Sequence, residues 1–150
     1  MQVFRITDRR YANHPLDGIG ASLAGARWNS RGVRMGYAGG SRALVLLELL
    51  VHVSRGSVPA SHVIVPIEIP GDAVATPEVL PAGWDRLPYD IRVQSFGDAW
   101  IRSGASLGLR VPSAIVKAEW NVLINPAHPR FVDIRIGAAE SLVWDQRLFP

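Results

Sequence analysis

The chain has 150 residues, no cysteine, and a formal net charge of +3 from 16 Lys and Arg against 13 Asp and Glu. That length predicts one domain with a substantial core. The missing cysteine excludes disulfides, thiolate catalysis and cysteine-bound zinc, and agrees with a reducing, cytoplasmic setting. No apolar run of about 18 residues and no charged leader occurs, so neither a membrane span nor a secretory signal is expected. All the basic residues but Lys117 are arginine, spread without a dense run. That pattern favours planar recognition of phosphates or carboxylates over direct nucleic-acid binding.

Taken in order, Val3 to Ile6 predicts a first strand with Arg5 inside it, followed by a polar loop to Asp17-Gly18. Gly18, Gly20 and Gly25 form no dinucleotide fingerprint, since no helix is expected after them. Val33 to Ala38 predicts a short strand. Ser41 is placed to cap a helix running to about Val53, with Gly56 and Pro59 ending it. His62 to Ile69, rich in Val and Ile, predicts a buried strand closed by Pro70-Gly71. The proline-punctuated stretch from Asp72 to Pro88 reads as a surface crossing with Trp84 docked as its anchor. Ser95 to Ser103 carries Phe96 and Trp100 at helical spacing. Leu107 to Val111 and Asn121 to Asn125 predict strands, Pro126 to Pro129 a rigid turn, and Phe131 to Ile136 a last half-exposed strand. The sum is α+β: a single domain with a mixed central sheet and two peripheral helices.

The oddity is Glu48, set in Leu46-Leu47-Glu48-Leu49-Leu50. Taking a carboxylate out of water costs several kcal/mol unless it is paired, so a partner is expected, and arginines are the nearest candidates. Two readings stand side by side: a core-edge carboxylate tied to Arg or His52, and a cleft-facing acid. Arg27, next to Trp28, reads either as a surface arginine stacked on an aromatic or as a fork gripping a phosphate. His14, His52, His62 and His128 show no ligand spacing, so no metal is expected. Ser113 lacks a Gly-x-Ser-x-Gly elbow and alone reads as a cap or turn hydroxyl.

An ordered set of short motifs spans nearly the whole chain: Phe4-Arg5, Gly25-Ala26-Arg27-Trp28-Asn29, Tyr37-Ala38 with Ser41, Leu47-Glu48, Gly97-Asp98-Ala99-Trp100, Val111-Pro112-Ser113, and Asn121 to Pro129. This set resembles the RES domain family, named for an Arg, a Glu and a Ser that match Arg27, Glu48 and Ser113. The resemblance implies one RES domain over residues 1–150 with a fold like diphtheria-toxin-type ADP-ribosyltransferases. It also implies a cytoplasmic toxin that depletes NAD+ by hydrolysis or phosphorolysis of the nicotinamide bond until an Xre-like helix-turn-helix antitoxin neutralises it. NAD+ would be substrate rather than cofactor, and the resemblance allows a homodimer within the complex. Glu48 would sit beneath the ribose, Arg27 and Arg5 would hold the pyrophosphate, Tyr37 would face the nicotinamide, and Ser113 would bond near the ribose or the amide. The alternatives are a protein ADP-ribosyltransferase and a non-enzymatic, Arg-rich partner-binding module.

Overall fold

The computed structural model describes residues 1–53 and 60–148. Strand β1 (Gln2–Asp8) runs antiparallel to β3 (His62–Glu68), from Gln2 opposite Glu68 to Asp8 opposite His62. On its other side β1 meets β2 (Gly36–Gly39), with Phe4 opposite Gly39. The remaining strands are β4 (Val74–Ala75), β5 (Gly108–Pro112), β6 (Trp120–Ile124), β7 (Arg135–Ile136) and β8 (Glu140–Ser141). They complete a sheet in the order β4-β5-β6-β2-β1-β3-β7, with β8 also on β3. Among the described residues only the β4–β5 pairing is parallel, so the sheet is mixed, as expected.

Side-chain alternation divides the core between the two faces. Val3, Val63, Val65, Ile67, Val122 and Ile124 share one side with Leu16 and Leu107. The strand register defines the other side: Phe4 lies opposite Gly39 and Tyr37 opposite Leu123, so these four residues face the same way. Two helices cover that second face. Helix α2 (Arg42–Leu50) sets Val45 against Phe4 and Ile64 at one end. Helix α3 (Ile91–Ser103) packs Val93 and Trp100 with Leu123, Leu109, Val111, Trp28 and Met35 at the other. The strip of sheet between them carries Tyr37 and Asn121.

Several expectations are corrected. A short helix, α1 (Ile19–Ala24), opens after Gly18 where none was expected, started by the Asp17 carboxylate accepting from the Ile19 amide. Three α-helices are therefore present among the described residues rather than two. Strand β2 begins at Gly36, not Val33, because the Asn29 side-chain amide holds the Ser30 and Val33 carbonyls in a turn. Helix α2 stops at Leu50; Gly56 and Pro59 lie outside the described residues. Helix α3 starts at Ile91, before Ser95, because the Asp90 carboxylate caps it. Most of Phe131 to Ile136 is not strand: Pro129–Asp133 is a 3-10 turn with His128 accepting from the Arg130 amide at its start, and only Arg135–Ile136 joins β3. Trp84 docks as expected, stacked on Trp28 with ring centroids 6.4 Å apart.

Candidate functional site

Glu48 lies four residues after Leu44 and three after Val45, both buried, so helical geometry turns it to the inward face of α2. Its Oε1 accepts from the Ser113 hydroxyl at 2.8 Å and from the Asn121 side-chain amide at 2.9 Å. The expected arginine is not among its partners. The carboxylate is held by two neutral donors, both on one oxygen, which fixes its orientation without cancelling its charge. The arginine of α2, Arg42, turns instead to Glu140 and lies over the Phe4 ring.

Ser113 is fully buried. Its Oγ accepts from the Ile115 and Val116 amides while it donates to Glu48, so the turn hydroxyl expected from sequence also orients the acid. A second connection ties α2 to the same segment. The Ser41 hydroxyl caps the helix at Leu44 and donates to the Glu119 carboxylate at 2.8 Å, and the Glu119 carbonyl accepts from the Ser113 amide. The helix carrying Glu48 is thus fastened at both ends to the β5–β6 connection.

Two cavities meet at this carboxylate. One, of about 280 Å³, is bordered by Arg5, Ile6, Val45 and Leu49; the other, of about 340 Å³, by Arg27, Asp85, Leu87, Tyr89 and Ile115. Tyr37, Glu48, His52 and Asn121 border both. Each chamber is at the small end of the range for ligand sites, and together they offer a two-part cleft with an acid at the junction.

Tyr37 is locked in place. Its hydroxyl donates to Asn29 Oδ1 at 2.6 Å and accepts from the Trp28 amide. Burial raises the phenol well above its ordinary value, so it stays a protonated donor. Asn29 is itself fully buried, its amide donating to the carbonyls of Ala21, Ser30 and Val33. Helix α3 fixes this segment from the other side, through Asp98 to the Ser30 amide and Gln94 to the Ala26 carbonyl. Gly97 is required there, since a Cβ would come within 1.8 Å of the Trp28 carbonyl oxygen.

Arg27 and Arg5, expected on one pyrophosphate, border different chambers. Arg27 is half-buried and lies over the Tyr89 ring at 5.0 Å, the stacked arrangement read from sequence but on Tyr89 rather than Trp28. Its Nη1 donates to the carbonyls of Trp84 and Arg86, and among the described residues Nε and Nη2 have no hydrogen-bond acceptor. Arg5 donates from Nη1 to the Tyr37 carbonyl at 2.6 Å, and its Nε is buried without a partner. Burial lowers the Arg5 guanidinium from its ordinary value, opposed by Asp17 and Tyr37.

The structure therefore brings Glu48, Ser113, Tyr37, Arg27 and Arg5 around one cleft, and adds Asn121, Asn29, Tyr89 and Asp85. Asn121 and Asn29 stood inside the quoted motifs but had no role there, because an isolated Asn in a strand or loop carries no periodic signal. Among the described residues no cluster of His, Asp and Glu is suited to a metal ion. No helix among them is long and apolar enough to cross a membrane.

Comparison with known proteins identifies the family and the fold. A family model described as RES domain matches residues 2–145. The "Prs ADP-ribosylating toxin" of Sphingobium sp. (strain YBL2) is 42% identical over 145 residues, covering 93% of this chain and 90% of that protein. A "Toxin Res" from Yersinia enterocolitica is 36% identical over 133 residues, 87% of this chain and 88% of its own. Among solved structures, the M. tuberculosis MbcT-MbcA toxin-antitoxin complex contains a chain that superposes with a TM-score of 0.70 at 17% identity, covering 94% of this chain and 83% of that one, a likeness of fold.

Proposed function

The chain belongs to the RES domain family, and on that premise we propose that it is the toxin of a toxin–antitoxin pair, acting in the cytoplasm by cleaving the nicotinamide–ribose bond of NAD+. The observation that carries the chemistry is Glu48 at the junction of two chambers, oriented by neutral donors. Loss of nicotinamide leaves an oxocarbenium-like ribosyl cation, and the leaving group is already cationic, so it needs no general acid. One uncompensated carboxylate beneath the ribose supplies what the transition state lacks, a negative charge held in place before the bond breaks.

The substrate would span the two chambers with its nicotinamide ribose over Glu48. Tyr37, its ring fixed through Asn29, faces the nicotinamide. Arg27 grips the pyrophosphate with Nε and Nη2 while Nη1 keeps the 84–86 wall in place. Arg5, tied to the Tyr37 carbonyl, assists from the smaller chamber. Ser113 contributes through Glu48, because it is fully buried. Water or phosphate then takes the ribosyl cation. An Xre-like antitoxin silencing the cleft, and a toxin homodimer within that complex, belong to the same proposal.

Transfer of ADP-ribose to a protein is the second reading, favoured by the name of the Sphingobium relative. Incubating the purified chain with NAD+ and following free nicotinamide tests the cleavage. Release without any protein acceptor supports hydrolysis or phosphorolysis; release only with an acceptor, accompanied by its mass increase, supports transfer. NAD+ left intact under both conditions rejects an enzymatic role.

A further inference from the structure

We propose that Asn121 is a positioning residue for Glu48, and that the site requires an amide there because a carboxylate of the same size would contest the proton. The inference rests on the NAD+-cleaving reading above. Asn121 stands on β6 opposite Gly39, on the face covered by α2 and α3. Its Nδ2 reaches Glu48 Oε1 at 2.9 Å, and its Oδ1 lies toward Gly39, where an added Cβ would be 3.2 Å from it and 2.6 Å from Val45 Cγ1. The missing side chain at Gly39 is what lets α2 approach β2 closely enough for this bond.

The two donors to Glu48 differ in kind. Ser113 is sealed from solvent and also answers to its own turn, whereas Asn121 borders both chambers. Asn121 is thus the donor that fixes the acid where ligand meets it. Replacing the amide with an ionised carboxylate removes the donor and puts two like charges at hydrogen-bond distance, and their repulsion lets the pair take up one proton as the solution is made more acid. A proton shared between them restores a donor, so Asn121→Asp should recover activity as pH falls. The other ionisable groups bordering the chambers are His52 after α2, Tyr37 of β2, Arg5 of β1, Arg27, and Asp85 and Tyr89 of the opposite wall. A double variant with His52→Gln keeps the imidazole out of the profile.

The test measures kcat and KM for nicotinamide release across pH in wild type, Asn121→Ala, Asn121→Asp and the double variant. Loss of one charge-assisted hydrogen bond predicts about a tenfold fall in kcat for Asn121→Ala at every pH, with KM within about twofold. Asn121→Asp should fall about a hundredfold at neutral pH and rise at least about tenfold toward acid, with or without His52. Wild-type kcat and profile in both variants, or an effect on KM alone, overturns the role. Circular dichroism reports folding, and Asn121→Asp, which keeps the side chain's size, carries the test if the alanine variant does not fold. Should wild type leave NAD+ intact, the cleavage reading fails separately. Growth arrest on expression then decides: arrest lost in both folded variants upholds the positioning role, and arrest at wild-type strength removes it.

Discussion

The two walls of the cleft are built differently. On the Glu48 side, helix α2 is bound through Ser41 and Glu48 to Glu119, Ser113 and Asn121, and Val45 packs on Phe4 and Ile64. On the Arg27 side, the wall from Trp84 to Tyr89 is irregular chain. It is held by Trp84 stacked on Trp28, Arg27 bonded to two carbonyls, and exposed ion pairs of Lys117 with Asp85 and Arg92 with Asp90. Exposed pairs contribute little to stability, and segments held mainly by them open at low cost. On the proposed function, the chemistry belongs to the packed wall and ligand admission to the latched one.

Breaking the packed wall should therefore cost turnover. Glu48→Gln keeps the shape but removes the charge, and a lost transition-state electrostatic contact predicts a fall of about 10²–10³ in kcat. Circular dichroism should show the fold intact, and unchanged turnover in a folded variant would move the chemistry away from α2. Ser113→Ala comes next. It leaves Asn121 as the sole donor to Glu48 among the described residues and frees the Ile115 and Val116 amides from their acceptor. A bond to a charged group is worth about 1.5–3 kcal/mol, so kcat should drop about tenfold or more, with a lower melting temperature.

Changes in the latched wall should appear in binding instead. In a Glu48→Gln background, Arg27→Ala should weaken NAD+ by about tenfold, and more than Arg27→Lys does, because lysine keeps the charge but cannot hold two carbonyls and a phosphate together. Equal affinity in wild type and Arg27→Ala, measured by titration calorimetry, would take Arg27 out of the site. The smallest effect is expected from acid. Hydrogen bonds from the Arg92 side chain and amide depress the Asp90 carboxyl from 3.8 to about 2, and Lys117 lowers Asp85 in the same direction. A depressed carboxyl contributes stability above its unfolded value and loses it as pH falls through the folded one, so the latches weaken below about pH 4. Asp8, bonded to Arg10 and Ser61 at the end of β1, is held lower still. Tryptophan fluorescence, sensitive to Trp84 on Trp28, should therefore change at a higher pH than the far-ultraviolet signal of the sheet; coincident transitions would mean that the walls are not distinct.

Much of the packed wall was legible in the sequence. One carboxylate in an apolar helix, a capping serine and an alternating Val- and Ile-rich strand are periodic or compositional signals, and they located α2, β3 and Glu48. What holds Glu48 in place was not legible, because a hydrogen bond across 65 and 73 residues leaves no mark on local pattern. Arginine was the reasonable expectation, but Arg42 and Arg92 pair with carboxylates outside the cleft. The same limit explains the misread Phe131 to Ile136 stretch: alternation suits a strand, yet Pro129 and the His128 cap start a 3-10 turn that runs to Asp133, and of this stretch Arg135 and Ile136 alone form strand. Asn29 went unassigned because its role is to bind carbonyls of its own loop and the Tyr37 hydroxyl together, a geometry that exists only once the loop has closed.

On the proposed function, Glu48 acts directly on the nicotinamide ribose at the junction of the two chambers. A crystal structure of Glu48→Gln with NAD+ tests it most directly. Intact NAD+ is expected across both chambers, with the residue-48 side chain roughly 3–3.5 Å from the ribose and Arg27 on the pyrophosphate. NAD+ bound elsewhere, or with its ribose turned away from residue 48, would contradict it.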